Sequence, residues 1–285
     1  MNNMNLKKVL IVGLGLIGGS YSLKLKEKGY EVGAITLNQE DIDYALEHKM
    51  IDHGQVKVTP EYINKFDFVI FCLYPSIFLE WIKKYCSYLK KGSIITDVTG
   101  VKKGIVREIQ EILKEYDVEF ISSHPMAGRE VYGIKNAKKD LFNNANYLIT
   151  PTEINTDGAI ELVKKLAGDL EFKNISILSI EEHDEMIGFL SQLTHCIAIS
   201  LMTCKDSEHL TKYTGDSFRD LTRIAKINEN MWSELFMLNK EELISQMELF
   251  ERNFIALKEA IIKDDEKKMK DMMKMSTLRR SRFDD

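Results

Sequence analysis

Cysteine is scarce in this chain, and the few cysteines form no pattern. Cys72, Cys86, Cys196 and Cys204 are the only four in 285 residues, and no two make a C-x-x-C pair. A disulfide framework is therefore not expected in a chain of this length. The four read as reduced, mostly buried apolar residues of a cytoplasmic protein, with no metal site. An excess of one charge is also lacking, because 39 Lys plus Arg stand against 44 Asp plus Glu, a net of -5. That balance offers no broad attraction to nucleic acid or to an anionic membrane, although a few local cations suffice for a small anionic substrate. Neither a signal peptide nor an apolar run long enough to span a bilayer is evident. Internal repeats and low-complexity linkers are missing too. What the chain does have is 44% hydrophobic residues, enough to fill one large domain or two ordinary ones.

The first 179 residues alternate short β-rich runs with amphipathic stretches. Strands are expected at residues 9–13, 30–35, 66–73, 93–98, 118–123, 147–150 and 175–179. Helices are expected between them, at 17–28, 41–48, 76–89, 102–115 and 158–170. Continuous apolar strands alternating with helices imply a parallel sheet covered on both faces. From residue 180 to 285 strand-like runs vanish, and Met, Leu, Glu and Lys recur at helical spacing. Leu243, Met247, Phe250, Phe254, Leu257 and Ile261 step by four and three. Such a stripe serves an intramolecular core, a seam between subunits, or both. The expected architecture is an α/β Rossmann-type domain over 1–179, followed by an all-α helical domain over 180–285.

Gly13-Leu14-Gly15-Leu16-Ile17-Gly18 is a G-x-G-x-x-G motif placed between a strand and a helix. That context separates a dinucleotide site from a chance run of glycines. Gly13 permits the tight turn, Gly15 lets backbone approach a pyrophosphate, and Gly18 lets helix and strand pack closely. The free N–H groups of the helix start, at Leu16 and Ile17, face the phosphates. A ribose-binding Asp or Glu is expected at the end of the second strand. Thr36 stands there instead, followed by Leu37 and Asn38, and no Arg is present to attract a 2′-phosphate. The loop leaves NAD and NADP open, with NAD the expected cofactor.

Ligands of an open α/β sheet lie beyond the carboxyl ends of its strands. Two such loops stand out, Asp97-Val98-Thr99-Gly100-Val101-Lys102 and Ser122-Ser123-His124-Pro125-Met126-Ala127-Gly128-Arg129-Glu130. His124, just past a strand and next to Pro125, is placed to accept a proton near neutral pH, as oxidation of an alcohol requires. His48, His53, His183 and His209 read as surface or structural residues. In the helical half, Arg219 and Arg223 share one face if the segment is helical, and Arg binds carboxylates through two hydrogen bonds. The other reading of Arg223 is a surface pair with Asp220. His195 starts an apolar helix and reads equally as a core residue or a pocket residue.

Taken together these motifs resemble the prephenate dehydrogenase family over nearly the whole chain. The resemblance is carried by GLGLIGGS, DVTGVK, SSHPMAGRE, YLITPT, SQLTH and FRDLTRIA, with Met231-Trp232 and Asn239 beyond. It implies oxidative decarboxylation of prephenate to 4-hydroxyphenylpyruvate, with hydride passing to NAD or NADP, in tyrosine biosynthesis. It also implies a dimer through the helical domain and an active site in the cleft between the two domains. On this reading His124 draws off the hydroxyl proton. Arg223 binds a substrate carboxylate, His195 lines the pocket, and Glu130 gates the cleft. Two departures stand out. Gly100 occupies a position where many relatives have serine, leaving Thr99 as the hydroxyl of that loop, with Ser123 across from it. Arg129 replaces a common threonine and is expected to clamp a carboxylate, which favours prephenate over its aminated analogue arogenate. Neither an appended regulatory domain nor a fused chorismate mutase is expected. The competing readings are a hydroxy-acid dehydrogenase with a catalytic lysine in its helical half, and a non-enzymatic sensor of NAD(H).

Overall fold

The computed structural model of the chain describes residues 8–129, 131–206 and 208–284. Eight strands among them form one sheet: β1 (Lys8–Val12), β2 (Glu31–Ile35), β3 (His53–Gln55), β4 (Phe68–Phe71), β5 (Ser93–Asp97), β6 (Val118–Pro125), β7 (Asn146–Thr150) and β8 (Asn174–Ile177). Their order is β3-β2-β1-β4-β5-β6-β7-β8. The inner strands read as continuous apolar runs because both faces are covered. All of Phe68–Phe71 and all of Ser93–Asp97 are buried. One core cluster gathers Val9, Ile11, Tyr21, Phe68 and Ile70 with Phe142 and Leu166, and a second gathers Leu10, Val69, Phe71, Phe78 and Ile95 with Ile109. These are the two sides of the sheet, set by the alternation of side chains along each strand.

The expectation of a purely parallel sheet needs correction at one place. Strands β1 to β6 pair in parallel, but β7 runs antiparallel to β6, with Ser123 opposite Ile149 and His124 opposite Leu148. The reason lies in the connection. Among the described residues, a loop and the short 3-10 turn Ile134–Asn136 join β6 to β7, with no crossover helix to carry the chain back to the other edge. The helix Asp157–Asp169 then supplies a crossover, and β8 is parallel to β7. The sheet order turns back on itself between β1 and β4, the switch point where open α/β sheets bind ligands.

Helices make up the rest. Ser179 starts the first with a reciprocal cap, its side chain accepting from the Glu182 N–H while the Glu182 carboxylate accepts from the Ser179 N–H. The run Ile180–Thr203 is a single helical stretch of 24 residues with mean hydropathy 1.4, long and apolar enough to cross a membrane by composition alone. This corrects the sequence reading, which saw no run of that kind. Its buried face carries His183, Asp184 and Gln192, each hydrogen-bonded within the protein, while 28% of its apolar window is buried and Met186, Phe189, Leu190 and Met202 are exposed in the single chain. A π-turn, Gly188–Gln192, lies in the middle. One extra residue in that turn makes His183 and His195 roughly three α-turns apart, on similar sides of the helix. The helices Glu229–Leu238, Lys240–Ile262 and Glu266–Arg280 follow.

Candidate active site

The glycine motif forms the turn between β1 and the helix Leu16–Glu27. Gly13 has φ +100°, and a Cβ there would lie 2.5 Å from the Cys72 carbonyl oxygen. A Cβ on Gly18 would lie 1.9 Å from the Gly13 carbonyl oxygen, so helix and turn touch backbone to backbone. Gly15 differs, because a Cβ there meets nothing within 4 Å. Its bareness serves the open side, where a phosphate can come against the chain. Leu16 and Ile17 begin the helix, whose first turn carries no acidic residue. The Gly13 N–H donates to the Ile35 carbonyl at 2.8 Å, which brings the end of β2, and with it Thr36, beside the glycine turn. Asn38 precedes the next helix, Gln39–Glu47, and its side-chain amide donates to the Asp41 carboxylate at 3.3 Å. The cradle fits a dinucleotide.

His124 lies near the end of β6, partly buried. Its Nδ1 is 3.0 Å from Nε2 of His183, which is fully buried. His183 Nδ1 is in turn 2.7 Å from Asp184 Oδ1. The Asp184 carboxylate also accepts the backbone N–H of Lys102, at 3.0 and 3.2 Å, and of Lys103, at 2.7 Å. A carboxylate can only accept, so His183 Nδ1 carries a proton and Nε2 a lone pair. That lone pair accepts from His124 Nδ1–H, which assigns the His124 lone pair to Nε2. The His124 pKa lies well below the usual histidine value, chiefly through burial and then through the neighbouring His183 and Lys102. Burial also lowers that of His183, against the opposing bond to Asp184. His124 is thus a neutral, oriented imidazole at neutral pH, with its lone pair on Nε2.

Beneath this pair lies a buried polar network. Asp97, at the end of β5, accepts from the Ser122 hydroxyl at 2.7 Å and the Ser123 N–H at 2.9 Å. The Lys102 ammonium meets Asp97 at 3.0 Å. The Thr99 hydroxyl donates to Asp97, and the Ser123 hydroxyl bonds the Asp97 carbonyl, Thr96 and Tyr147. Two assignments are corrected here. Thr99 and Ser123, expected to bind substrate, are 3% and 0% exposed with their hydroxyls engaged inside the protein. They belong to the floor under His124, not to its open side.

The helix Glu229–Leu238 covers the site from the helical half. A Cβ on Gly100 would lie 3.6 Å from Leu235 and 3.9 Å from His124 Cε1, so Gly100, Leu235 and His124 form one wall. Trp232, one turn earlier, packs against His195 with ring centroids 3.6 Å apart and the planes tilted by 31°. His195 Nδ1 is 2.8 Å from the Ser191 carbonyl, which makes Nδ1 the protonated nitrogen. Asn239 donates to the Asp184 carbonyl at 2.9 Å and to the Gln192 side chain at 2.8 Å, and Gln192 donates to the Leu235 carbonyl at 2.9 Å. Glu234 accepts the Ser76 N–H at 2.6 Å, joining this helix to the sheet domain.

The arginines are placed differently from expectation. The helix Asp216–Thr222 ends before Arg223, which opens the 3-10 turn Arg223–Ala225. Arg223 is thus the cap of that helix and not part of its interior, and Arg219 faces Asp216 at 3.6 Å. The turn of Arg223 packs against the helix Leu193–Thr203 that carries His195. Arg223 and Arg129 are both exposed. Glu130 lies outside the described residues. The residues missed from sequence are His183, Asp184, Lys102 and Trp232. A signal for two of them existed, because Ile180, His183, Asp184 and Ile187 fall on the inward face of one amphipathic helix. A His-Asp pair on such a face has to find polar partners.

Comparison with known proteins settles the family. The profile described as prephenate dehydrogenase, nucleotide-binding domain, matches residues 21–175, and the one described as prephenate dehydrogenase, dimerization domain, matches residues 179–275. The chain belongs to the prephenate dehydrogenase family. It is 34% identical to a prephenate dehydrogenase of Lactococcus lactis subsp. cremoris over 261 residues, covering 89% of this chain and 71% of that protein. A Bacillus subtilis prephenate dehydrogenase is 28% identical, with 93% and 72% covered. Among solved structures, prephenate dehydrogenase from A. aeolicus in complex with hydroxyphenyl propionate and NAD+ superposes with a TM-score of 0.89 at 30% identity, covering 99% of this chain and 100% of that one. As a member of the prephenate dehydrogenase family, the chain joins a Rossmann-like nucleotide-binding domain to a helical domain, and the His124–His183–Asp184 series lies where the two meet.

Proposed function

We propose that this chain oxidises and decarboxylates prephenate to 4-hydroxyphenylpyruvate, with NAD as hydride acceptor. One observation carries the reading. His124 has Nδ1 committed to His183, which leaves the lone pair of a neutral imidazole on Nε2 at the carboxyl end of β6. The glycine turn, with Gly15 open and the N–H groups of Leu16 and Ile17 beyond it, would hold the pyrophosphate, and Thr36 and Asn38 would meet the ribose. A bound nicotinamide supplies an acceptor for the hydride that leaves C4 of the substrate ring. His124 Nε2 accepts the hydrogen bond of the C4 hydroxyl and takes its proton as that C–H bond breaks, raising electron density on the oxygen. The ring C4 becomes a carbonyl. The C–CO2 bond then breaks, its electron pair enters the ring, and the ring becomes aromatic. His124 returns the proton to the phenolic oxygen, so substrate and NAD+ become product, CO2 and NADH with no net proton.

Arg223 and Arg129 are assigned to the substrate carboxylates, Arg223 from the turn beside the His195 helix and Arg129 from the loop after His124. His195, its ring fixed by Trp232 and Ser191, lines the pocket. We place the domain boundary after Ser179 and read the protein as a cytoplasmic homodimer. Support for the dimer comes from the Lys240–Ile262 helix, where Phe250, Phe254 and Ile261 are exposed apolar residues on the stripe seen in the sequence. The test is to incubate the purified protein with prephenate or arogenate, each with NAD or NADP, and follow reduced nicotinamide. Reduction that is fastest with prephenate and NAD supports the reading. Reduction only with arogenate replaces the substrate, and no reduction in any combination rejects the reading.

A further inference from the structure

We propose that Lys102 is a positioning residue for the His124 base, tying the strand that carries His124 to the helix that carries His183. The proposal deepens the proposed function and rests on His124 being the base. Lys102 is 0% exposed, so its amine cannot touch a substrate and acts through its neighbours. Its side chain meets three acceptors: Asp97 Oδ2 at 3.0 Å, Thr99 Oγ1 at 3.2 Å and the Ser123 carbonyl at 2.7 Å. Three acceptors match the three N–H bonds of an ammonium, not the two of a neutral amine. Burial lowers the Lys102 pKa and the Asp97 charge opposes it, and the three-acceptor geometry identifies the charged form. The Ser123 carbonyl belongs to the peptide unit that leads into His124, so this bond fixes the backbone from which the imidazole projects. The backbone N–H of the same Lys102 donates to Asp184, the carboxylate that holds His183. One residue therefore grips both ends of the histidine pair.

The position of the charge matters as well as the bonds. The groups facing the pair are Lys102 from the loop after β5, Asp97 from β5, and Asp184 from the helix behind His183. Tyr147 on β7 and Cys72 after β4 lie against Asp97, and burial raises the pKa of both, so both stay neutral. Gly100 and Leu235, which form the wall beside His124, add no charge. Among these groups Lys102 is the one cation, and it disfavours a second positive charge on His124. Remove it, and the imidazole protonates at higher pH.

The experiment compares Lys102→Met, Lys102→Arg and the double variant Asp97→Asn with Lys102→Met, in which no buried carboxylate is left uncompensated. Two readouts are used: kcat/KM for prephenate against pH, and the His124 ring-nitrogen shifts against pH by NMR. Both Met variants should lose about tenfold in kcat/KM at the acid end relative to their own plateau. The Arg variant should hold within about threefold of wild type there. In the NMR titration His124 should protonate at higher pH in the Met variants, with signal from both tautomers. Folded Met variants whose His124 titration and tautomer match wild type would overturn the proposal. The NMR arm needs no turnover, so a protein inactive toward prephenate would reject the proposed function while still deciding the role of Lys102.

Discussion

Replacing His183 should damage catalysis without touching the substrate. Its Nε2 is the acceptor for His124 Nδ1–H at 3.0 Å, and it has 0% exposure. His183→Ala leaves that N–H without its partner and the imidazole free to rotate and to exchange tautomers. A lost hydrogen bond of this kind is worth about 1–3 kcal/mol, or roughly 5- to 150-fold in kcat. Substrate KM should stay within about threefold. The fold should survive, because Asp184 keeps the backbone N–H groups of Lys102 and Lys103, although a buried cavity costs about 2–4 kcal/mol. Two further variants separate the ends of the relay. His183→Asn can imitate the Nδ1 donor toward Asp184, whereas the longer Gln can place an acceptor where Nε2 stood. Gln should therefore turn over faster than Asn by about fivefold, the worth of one modest hydrogen bond. Steady-state kinetics with a thermal melt on each variant provides the assay. Equal rates for Gln and Asn, or an Ala variant with wild-type kcat, would refute the relay.

Lowered pKa values for His124 and His183 also bear on stability. The unfolded chain takes up protons at these residues below about pH 6.5 while the folded chain does not, so stability should fall as pH drops from that value toward the folded pKa values. The slope should approach about 1.4 kcal/mol per pH unit for each imidazole, and chemical denaturation across the window measures it. In the glycine turn, Gly15→Ala should leave the melting temperature unchanged but raise the NAD dissociation constant about tenfold, since its Cβ would enter open space. Gly13→Ala should instead destabilise by about 2–3 kcal/mol, because φ is +100° and the Cβ meets Cys72 backbone; denaturant melts distinguish the two. Arg223→Ala should raise the KM for prephenate about tenfold or more with a smaller change in kcat, measured by saturation kinetics. Phe254→Asp should shift the protein toward monomer in sedimentation velocity, as Phe254 is 60% exposed in the single chain.

Much of the sheet domain was legible because buried parallel strands are read from hydrophobic runs alone. Val9–Val12 and Phe68–Phe71 needed no knowledge of their neighbours. The glycine turn was legible because Gly13 and Gly18 answer to a local steric need, while Gly15 faces open space. The direction of β7 was not, since an antiparallel return depends on a missing crossover helix and not on the strand itself. Thr99 and Ser123 were misjudged because a hydroxyl at a strand end reads equally as ligand or as network, and only Asp97, Tyr147 and Lys102 decide between them. His183 was dismissed for a similar reason. Its value depends on meeting His124 from 59 residues away in sequence, a pairing that helical periodicity does not encode. Arg223 shares a face with Arg219 only if the segment is helical throughout, and the helix ends at Thr222 with Arg223 as its cap.

The most direct test of the account is a single-turnover measurement on His124→Asn with prephenate and NAD, beside a measurement of prephenate affinity. With His124 as the base, the rate of nicotinamide reduction should fall by about 10²- to 10⁴-fold, while substrate and cofactor still bind within about threefold of wild type. A variant that reduces NAD at a rate near wild type would contradict the account and remove His124 from the chemistry.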